Sequence, residues 1–327
     1  MKLLPLIENE AARLAESGVS FGHGTTNAFD EAVWLSLWSL GLPLDDLDLL
    51  STRDLSDDEA MTVRSLIDRR INERVPAPYL TREAWLQGVP FYVDQRCIVP
   101  RSLIAENLVD GDLDDLLGRE PSHVLDLCTG NGSLAVLCAL AWPEAQVAGA
   151  DLSAPALEVA SINRQRHGLD ARITLLQGDG LQAVAGLRYD LIVCNPPYVN
   201  AQSMARLPAE FRAEPSMALA GGPDGMDFID TLLRSVQAHL VSDGWLVLEI
   251  GHERAHFESR FGGPCGLEPL WLENSSGCDA VLALAADRLR AWSAHAAHGS
   301  AGTGALAKPE TKPHADPQAD AKRAACP

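Results

Sequence analysis

The sequence predicts an α/β protein: a doubly wound, mostly parallel sheet with an antiparallel last strand, preceded by a small helical domain. Three observations carry this. Apolar residues recur at helical spacing before about residue 82, strand and helix patterns alternate from His123 onward, and a glycine turn joins the first of those strands to a helix.

In residues 1–82, Ala28, Ala32, Val33, Leu35 and Leu37 around Trp34 and Trp38, then Met61, Val63, Leu66 and Ile67, keep helical intervals. Thr26-Asn27 and Ser56-Asp57-Asp58 precede them as helix-start signals, since their side chains accept from N–H groups that a first turn leaves unpaired. Residues 83–108 read as a connector without a core of its own, in which Phe91-Tyr92-Val93 and Cys97-Ile98-Val99 flank Asp94-Gln95-Arg96 as a hairpin.

Residues 109–294 hold the alternating domain, with short apolar strands at 124–128, 146–150, 173–176, 190–194 and 245–250. Two further strands, 267–272 and 280–285, have too little chain between them for a crossover helix, so they pair antiparallel through a turn at Ser275-Ser276-Gly277. Trp85, Trp245 and Trp271 are expected in the core. After about Ala294 the chain loses periodicity and fills with Ala, Gly, Pro, His and Lys, so 295–327 is expected to be a disordered tail.

A length of 327 residues suits two folded units and a tail, and an apolar share of 46 % supplies an ordinary core. The N-terminal apolar run turns acidic at Glu8 and Glu10, too early for a secretory signal, and no run approaches the ~20 residues of a bilayer span. A cytoplasmic protein without membrane contact is expected. The cysteines at 97, 128, 138, 194, 265, 278 and 326 form no C-x-x-C pair and have no histidines at ligand spacing, which predicts reduced thiols and no metal site.

The net charge is −19, and lysine is absent between Lys2 and Lys308. Such a surface repels nucleic-acid phosphate and attracts a basic protein, although 22 arginines remain to cluster in space.

The chemistry begins at Val124-Leu125-Asp126-Leu127-Cys128-Thr129-Gly130-Asn131-Gly132, where a strand enters a glycine turn and a helix. Gly130 and Gly132 allow close backbone approach, and the helix N-terminus faces the ligand. Asp151, 21 residues after Gly130 at the end of the next strand, suits ribose hydroxyls, with Leu152 beside it. This much fits a nicotinamide dinucleotide or S-adenosyl-L-methionine equally. Asp126 tips the balance, because its carboxylate can meet the ammonium of a methionine moiety directly or through water, whereas a pyrophosphate would be repelled. Asp179 in Gln177-Gly178-Asp179-Gly180 is placed to accept from an adenine amino group.

Asn195-Pro196-Pro197-Tyr198 follows the strand at 190–194 and so lies at a carboxyl end of the sheet, beside the glycine turn. Its prolines remove two N–H donors and leave acceptors, the Asn195 side-chain oxygen and the Pro196 carbonyl, for the two hydrogens of a planar NH2 group. Those acceptors direct the nitrogen lone pair at a methyl group and meet the positive charge that grows on nitrogen. Tyr198 offers a π face to a flat substrate. His252 reads as a surface histidine at a helix start rather than a proton relay.

Asn195-Pro196-Pro197-Tyr198 together with Asp126-Leu127-Cys128-Thr129-Gly130-Asn131-Gly132 resembles the HemK-type protein-glutamine methyltransferases, which carry a class I, Rossmann-like methyltransferase domain. Phe21-Gly22-His23-Gly24-Thr25-Thr26-Asn27, Ala77-Pro78-Tyr79-Leu80-Thr81-Arg82 and Val99-Pro100-Arg101-Ser102 resemble the branch that acts on the third protein of the large ribosomal subunit. The likeness covers about residues 10–292. It implies a glutamine amide nitrogen as acceptor, a helical substrate-recognition domain, Arg101 among the substrate-binding residues, and a basic ribosomal protein as partner before ribosome assembly. The release-factor branch carries Ile-Pro-Arg-Pro where this chain has Val99-Pro100-Arg101-Ser102. Relatives often place an aromatic residue after the aspartate of Gly178-Asp179-Gly180-Leu181, and this chain has none there. The alternatives are glutamine methylation of release factors and methylation of an adenine amino group after base flipping, the latter disfavoured by charge. A nicotinamide oxidoreductase would have no use for Asn195-Pro196-Pro197-Tyr198.

Overall fold

The computed structural model describes residues 1–263, 266–275, 277 and 279–299. Helices Leu3–Glu16, Ala28–Ser39 and Asp57–Glu73 pack around Leu6, Leu14, Leu35, Val63 and Ile67. Both start signals act as read: the Asn27 side chain accepts from Asp30 N–H, and Ser56 forms a reciprocal capping box with Glu59.

The connector hairpin sits earlier than predicted. Strands β1 (Ala84–Leu86) and β2 (Val89–Phe91) pair antiparallel, and Gln87 and Gly88 between them both take positive φ, 49° and 72°. Such a two-residue turn matches the twist of its strands, and it outcompetes the longer turn at Asp94-Gln95-Arg96. Trp85 is on the outer face of β1 at 45 % exposure, because Ala84 and Leu86 take the inward positions; it is not core. Leu86, Phe91, Ile104 and Leu108 pack into the core on one face of the main sheet, tying the connector to it.

The main sheet holds β3 (His123–Leu127), β4 (Gln146–Asp151), β5 (Ile173–Gln177), β6 (Tyr189–Cys194), β7 (Leu240–Glu249), β8 (Leu270–Leu272) and β9 (Val281–Ala285), in the order β5-β4-β3-β6-β7-β9-β8. The first five run parallel, whereas β9 is antiparallel to both β7 and β8. Helices Ser133–Ala141 and Ala154–Arg166 make the crossovers β3 to β4 and β4 to β5, and only a 3-10 turn, Gly180–Val184, links β5 to β6. All six residues of β6 are buried, as expected of a strand covered on both faces. Winding reverses between β3 and β6, which opens a crevice beyond their carboxyl ends.

The turn between β8 and β9 includes a hydrogen bond from Gly277 N–H to the Asn274 carbonyl; Ser276 lies outside the described residues. The last helix, Ala286–Gly299, runs past the expected boundary at 294, and residues 300–327 of the expected tail lie outside the described residues. No helix among the described residues is long and apolar enough to cross a membrane.

Candidate functional site

The glycine turn is held by left-handed backbone at Cys128 (φ 63°), Gly130 (55°) and Gly132 (80°). Thr129 N–H donates to the Ala150 carbonyl, and Gly130 N–H donates to Asp151 Oδ2 at 2.9 Å, so the ends of β3 and β4 are stitched together beside the switch point. A Cβ on Gly132 would stand 3.0 Å from that of Ala160, which explains the glycine where the two crossover helices converge. Asn131 is buried: its Oδ1 accepts from Ser133 N–H and its carbonyl accepts from Asn163.

Asp126 is placed differently from the simplest expectation. It is 1 % exposed and stands behind the turn rather than on the cleft wall, with Oδ2 accepting from Thr129 Oγ1 at 2.5 Å and Ala135 N–H at 2.9 Å. Its Oδ1 is buried without a hydrogen-bond partner among the described residues. Burial pushes this carboxyl up to about 7, against the pull of those two donors.

Beyond the turn lies a cleft of about 780 Å³, part of it open to solvent. Cys128, Gly130, Asp151, Leu152, Asp179 and Gly180 line it on the side of β3, β4 and β5; Asn195 and Pro197 line it from the end of β6. Asp151 Oδ1 accepts from Ser153 N–H at 2.8 Å, and burial raises its carboxyl. Asp179 is exposed. No aromatic residue follows Asp179 directly, but Phe228, on helix Asp227–Ser235, lines the cleft and faces Gly180, where a Cβ would be 3.8 Å from its ring.

The Asn195 side chain makes no hydrogen bond to protein among the described residues and is free to meet a ligand. Pro196 is buried. Tyr198 is half-buried and stands beside the cleft rather than on its wall, with its hydroxyl donating to Glu249 Oε1 at 3.1 Å. The chain leaves the site by pairing Val199 with the 219–221 segment, and glycines make room: a Cβ on Gly251 would stand 2.5 Å from the Tyr198 ring, and one on Gly221 2.7 Å from its Cα.

The far wall is Pro215, Met217 and Ala218, and what fixes it was not legible beforehand. Just upstream, Glu210 accepts from Arg70 and Arg74, and Arg70 also donates to Glu31, all with the carboxylates buried. Arg101 grips Glu214 with both terminal nitrogens, at 2.8 and 2.7 Å, and lies over the Phe211 ring. The expected substrate residue Arg101 is thus engaged within the protein. Val99 N–H also donates to Glu214, and His23 Nε2 approaches it to 3.5 Å. Burial raises the Glu214 carboxyl, but Arg101 and His23 outweigh it and hold the group at about 2. No motif pattern marks these partners, although Arg101 and His23 each stand in a segment that carries the family likeness.

A family model described as methyltransferase small domain matches residues 112–222. The ribosomal protein uL3 glutamine methyltransferase of Burkholderia pseudomallei (strain K96243) is 50 % identical over 298 residues, covering 88 % of this chain and 95 % of that protein. The protein of the same name from Bordetella pertussis (strain Tohama I) is also 50 % identical, over 88 % of this chain and 96 % of its own length. That of Neisseria gonorrhoeae (strain ATCC 700825 / FA 1090) is 44 % identical, over 85 % and 92 %.

Proposed function

The chain belongs to the family of ribosomal protein uL3 glutamine methyltransferases, and from that membership we propose that it methylates the side-chain amide nitrogen of a glutamine in ribosomal protein uL3, using S-adenosylmethionine. One observation carries the site: Asn195 and Pro197 share a single cleft with Gly130 and Asp151 at the switch point of the sheet. A donor turn and an acceptor loop thus face one space.

The residues present fit the methyl donor. Asp151 offers a carboxylate at the end of β4 for ribose hydroxyls, Asp179 is open to an adenine amine, and Phe228 supplies an aromatic surface. The unpartnered Oδ1 of Asp126 is a buried acceptor that suits an ammonium group reached through water. When bound, S-adenosylmethionine supplies a methyl group made electrophilic by its sulfonium. Asn195 Oδ1 and the Pro196 carbonyl accept from the two amide hydrogens of the glutamine and orient its nitrogen. Their dipoles meet the positive charge that develops there, and the proton leaves to solvent afterwards, so the scheme needs no metal and no dedicated base.

Residues 1–82 act as the substrate-recognition unit, 83–108 as connector and 109–294 as the catalytic domain. The acidic surface draws in a basic ribosomal protein and repels phosphate, so uL3 is met in the cytoplasm before assembly. The test offers labelled S-adenosylmethionine with free uL3, release factor, DNA and RNA to the wild type and to Asn195→Ala. Label is expected on uL3 from the wild type and to be lost in the variant. Label on nucleic acid alone, or transfer undiminished in Asn195→Ala, overturns the reading.

A further inference from the structure

The acceptor loop and Glu249 leave the sheet side by side. β6 and β7 are parallel neighbours with Cys194 opposite Leu248, so Asn195 and Glu249 are the next residue on each strand. Glu249 is 3 % exposed, yet its carboxylate is fully engaged. Oε1 accepts from the Tyr198 hydroxyl at 3.1 Å, and Oε2 accepts from Ser102 Oγ at 2.6 Å and from Leu103 N–H at 2.9 Å. Two residues on, Gly251 leaves the space that the Tyr198 ring fills. The end of β7 is therefore shaped around Tyr198 twice, by an acceptor for its hydroxyl and by a missing Cβ under its ring.

Resting on the methyl-transfer reading, we propose that Glu249 is a positioning residue for that reaction: through the Tyr198 hydroxyl it fixes the 195–198 loop, and through Ser102 and Leu103 it ties that loop to the connector. The loop itself has few means of self-support, since its prolines carry no N–H and the Asn195 side chain must stay free for substrate. A buried carboxylate with three donors supplies a rigid anchor, because each donor that swings away leaves it unpaired in a dry setting. Glu249 touches no reacting atom. It acts on turnover by holding the two amide acceptors in line with the methyl group, where small misplacements cost rate more than binding.

The test is a double-mutant cycle on the full chain with free uL3, using Tyr198→Phe, Glu249→Gln and the pair, with Ser102→Ala as a milder variant. Tyr198→Phe keeps the ring and removes only the link, so it is expected to lower kcat about tenfold while KM for uL3 and calorimetric Kd for S-adenosylmethionine stay within about twofold. Glu249→Gln is expected to lower kcat at least as much, and the pair to lose well short of the product of the two single losses, because both variants break the Tyr198 link. Ser102→Ala is expected to fall between. Wild-type kcat in Tyr198→Phe, or losses that multiply in the pair, overturns the inference. Should Glu249→Gln fail to fold, Tyr198→Phe and Ser102→Ala still decide it. Failure of the underlying reading looks different: no label on uL3 from the wild type.

Discussion

Arg70 Nη1 donates to Glu210 Oε1 at 3.1 Å, joining residues 140 apart in sequence through side chains that are 1 % and 0 % exposed. Arg70 stands on helix Asp57–Glu73 of the N-terminal unit; Glu210 stands five residues before Pro215 of the cleft wall. The same guanidinium donates to Glu31 at 2.8 Å and to the Ser20 carbonyl at 2.7 Å. The helical unit is thus not an appendage: it braces the wall against which the ligands of the cleft must pack.

Arg70→Met leaves Glu31 with the Thr25 hydroxyl and Glu210 with Arg74. Breaking a buried pair strands a charge, and a loss of about 3–5 kcal/mol in urea unfolding is expected. Adding Glu31→Leu removes the stranded charge and is expected to recover a good part of that. A loss below about 1 kcal/mol in the single variant would show that water already reaches the network.

The parts that the chain writes consecutively were legible: the glycine turn, Asp151 and the 195–198 loop are each fixed by a strand end and a few adjacent residues. The ionic braces were not, because Arg70–Glu210 and Arg101–Glu214 close over 140 and 113 residues, and local pattern says nothing about how two units dock. Arg101 was legible as a residue of consequence but not as Glu214's partner. The connector hairpin was misplaced because apolar runs at 91–93 and 97–99 outweighed Gln87-Gly88, whose turn depends on a glutamine accepting positive φ.

Gly132→Ala tests the turn directly. At φ 80° a side chain is strained, and its Cβ would press on Ala160 Cβ at 3.0 Å and Cα at 3.2 Å. A stability loss of about 1–3 kcal/mol is expected by thermal or urea unfolding, with affinity for S-adenosylmethionine lowered about tenfold or more by calorimetry. Gly118→Ala, at φ 66° with nothing within 4 Å, is the control: strain without crowding, and no effect on affinity.

Phe228 lines the cleft, and its ring faces Gly180, the residue after Asp179. If its ring forms the adenine-side surface, Phe228→Ala is expected to raise Kd for S-adenosylmethionine roughly fivefold to tenfold, about the contribution of one aromatic contact, and Phe228→Leu less. The kcat at saturating donor should hardly change. Unchanged Kd in Phe228→Ala would remove Phe228 from the donor site.

Asp126 makes the unliganded protein sensitive to pH, and the sign follows from its burial. The carboxyl rises from the ordinary 3.8 to about 7 in the folded chain, so between those values the native state holds a proton that the unfolded state has released. Stability from this group is full below about pH 4, falls as pH rises toward 7, and is flat above. From pH 5 to pH 8 the wild type should therefore lose about 3 kcal/mol relative to Asp126→Asn, nearly all of it between pH 5 and pH 7 at roughly 1.4 kcal/mol per pH unit. Asparagine keeps an acceptor for Thr129 and Ala135 and does not ionise, so comparing urea unfolding of the two proteins at each pH cancels other titrating groups. Parallel pH curves would mean that Asp126 is already ionised at pH 5 in the folded protein, with water rather than empty space at its free oxygen.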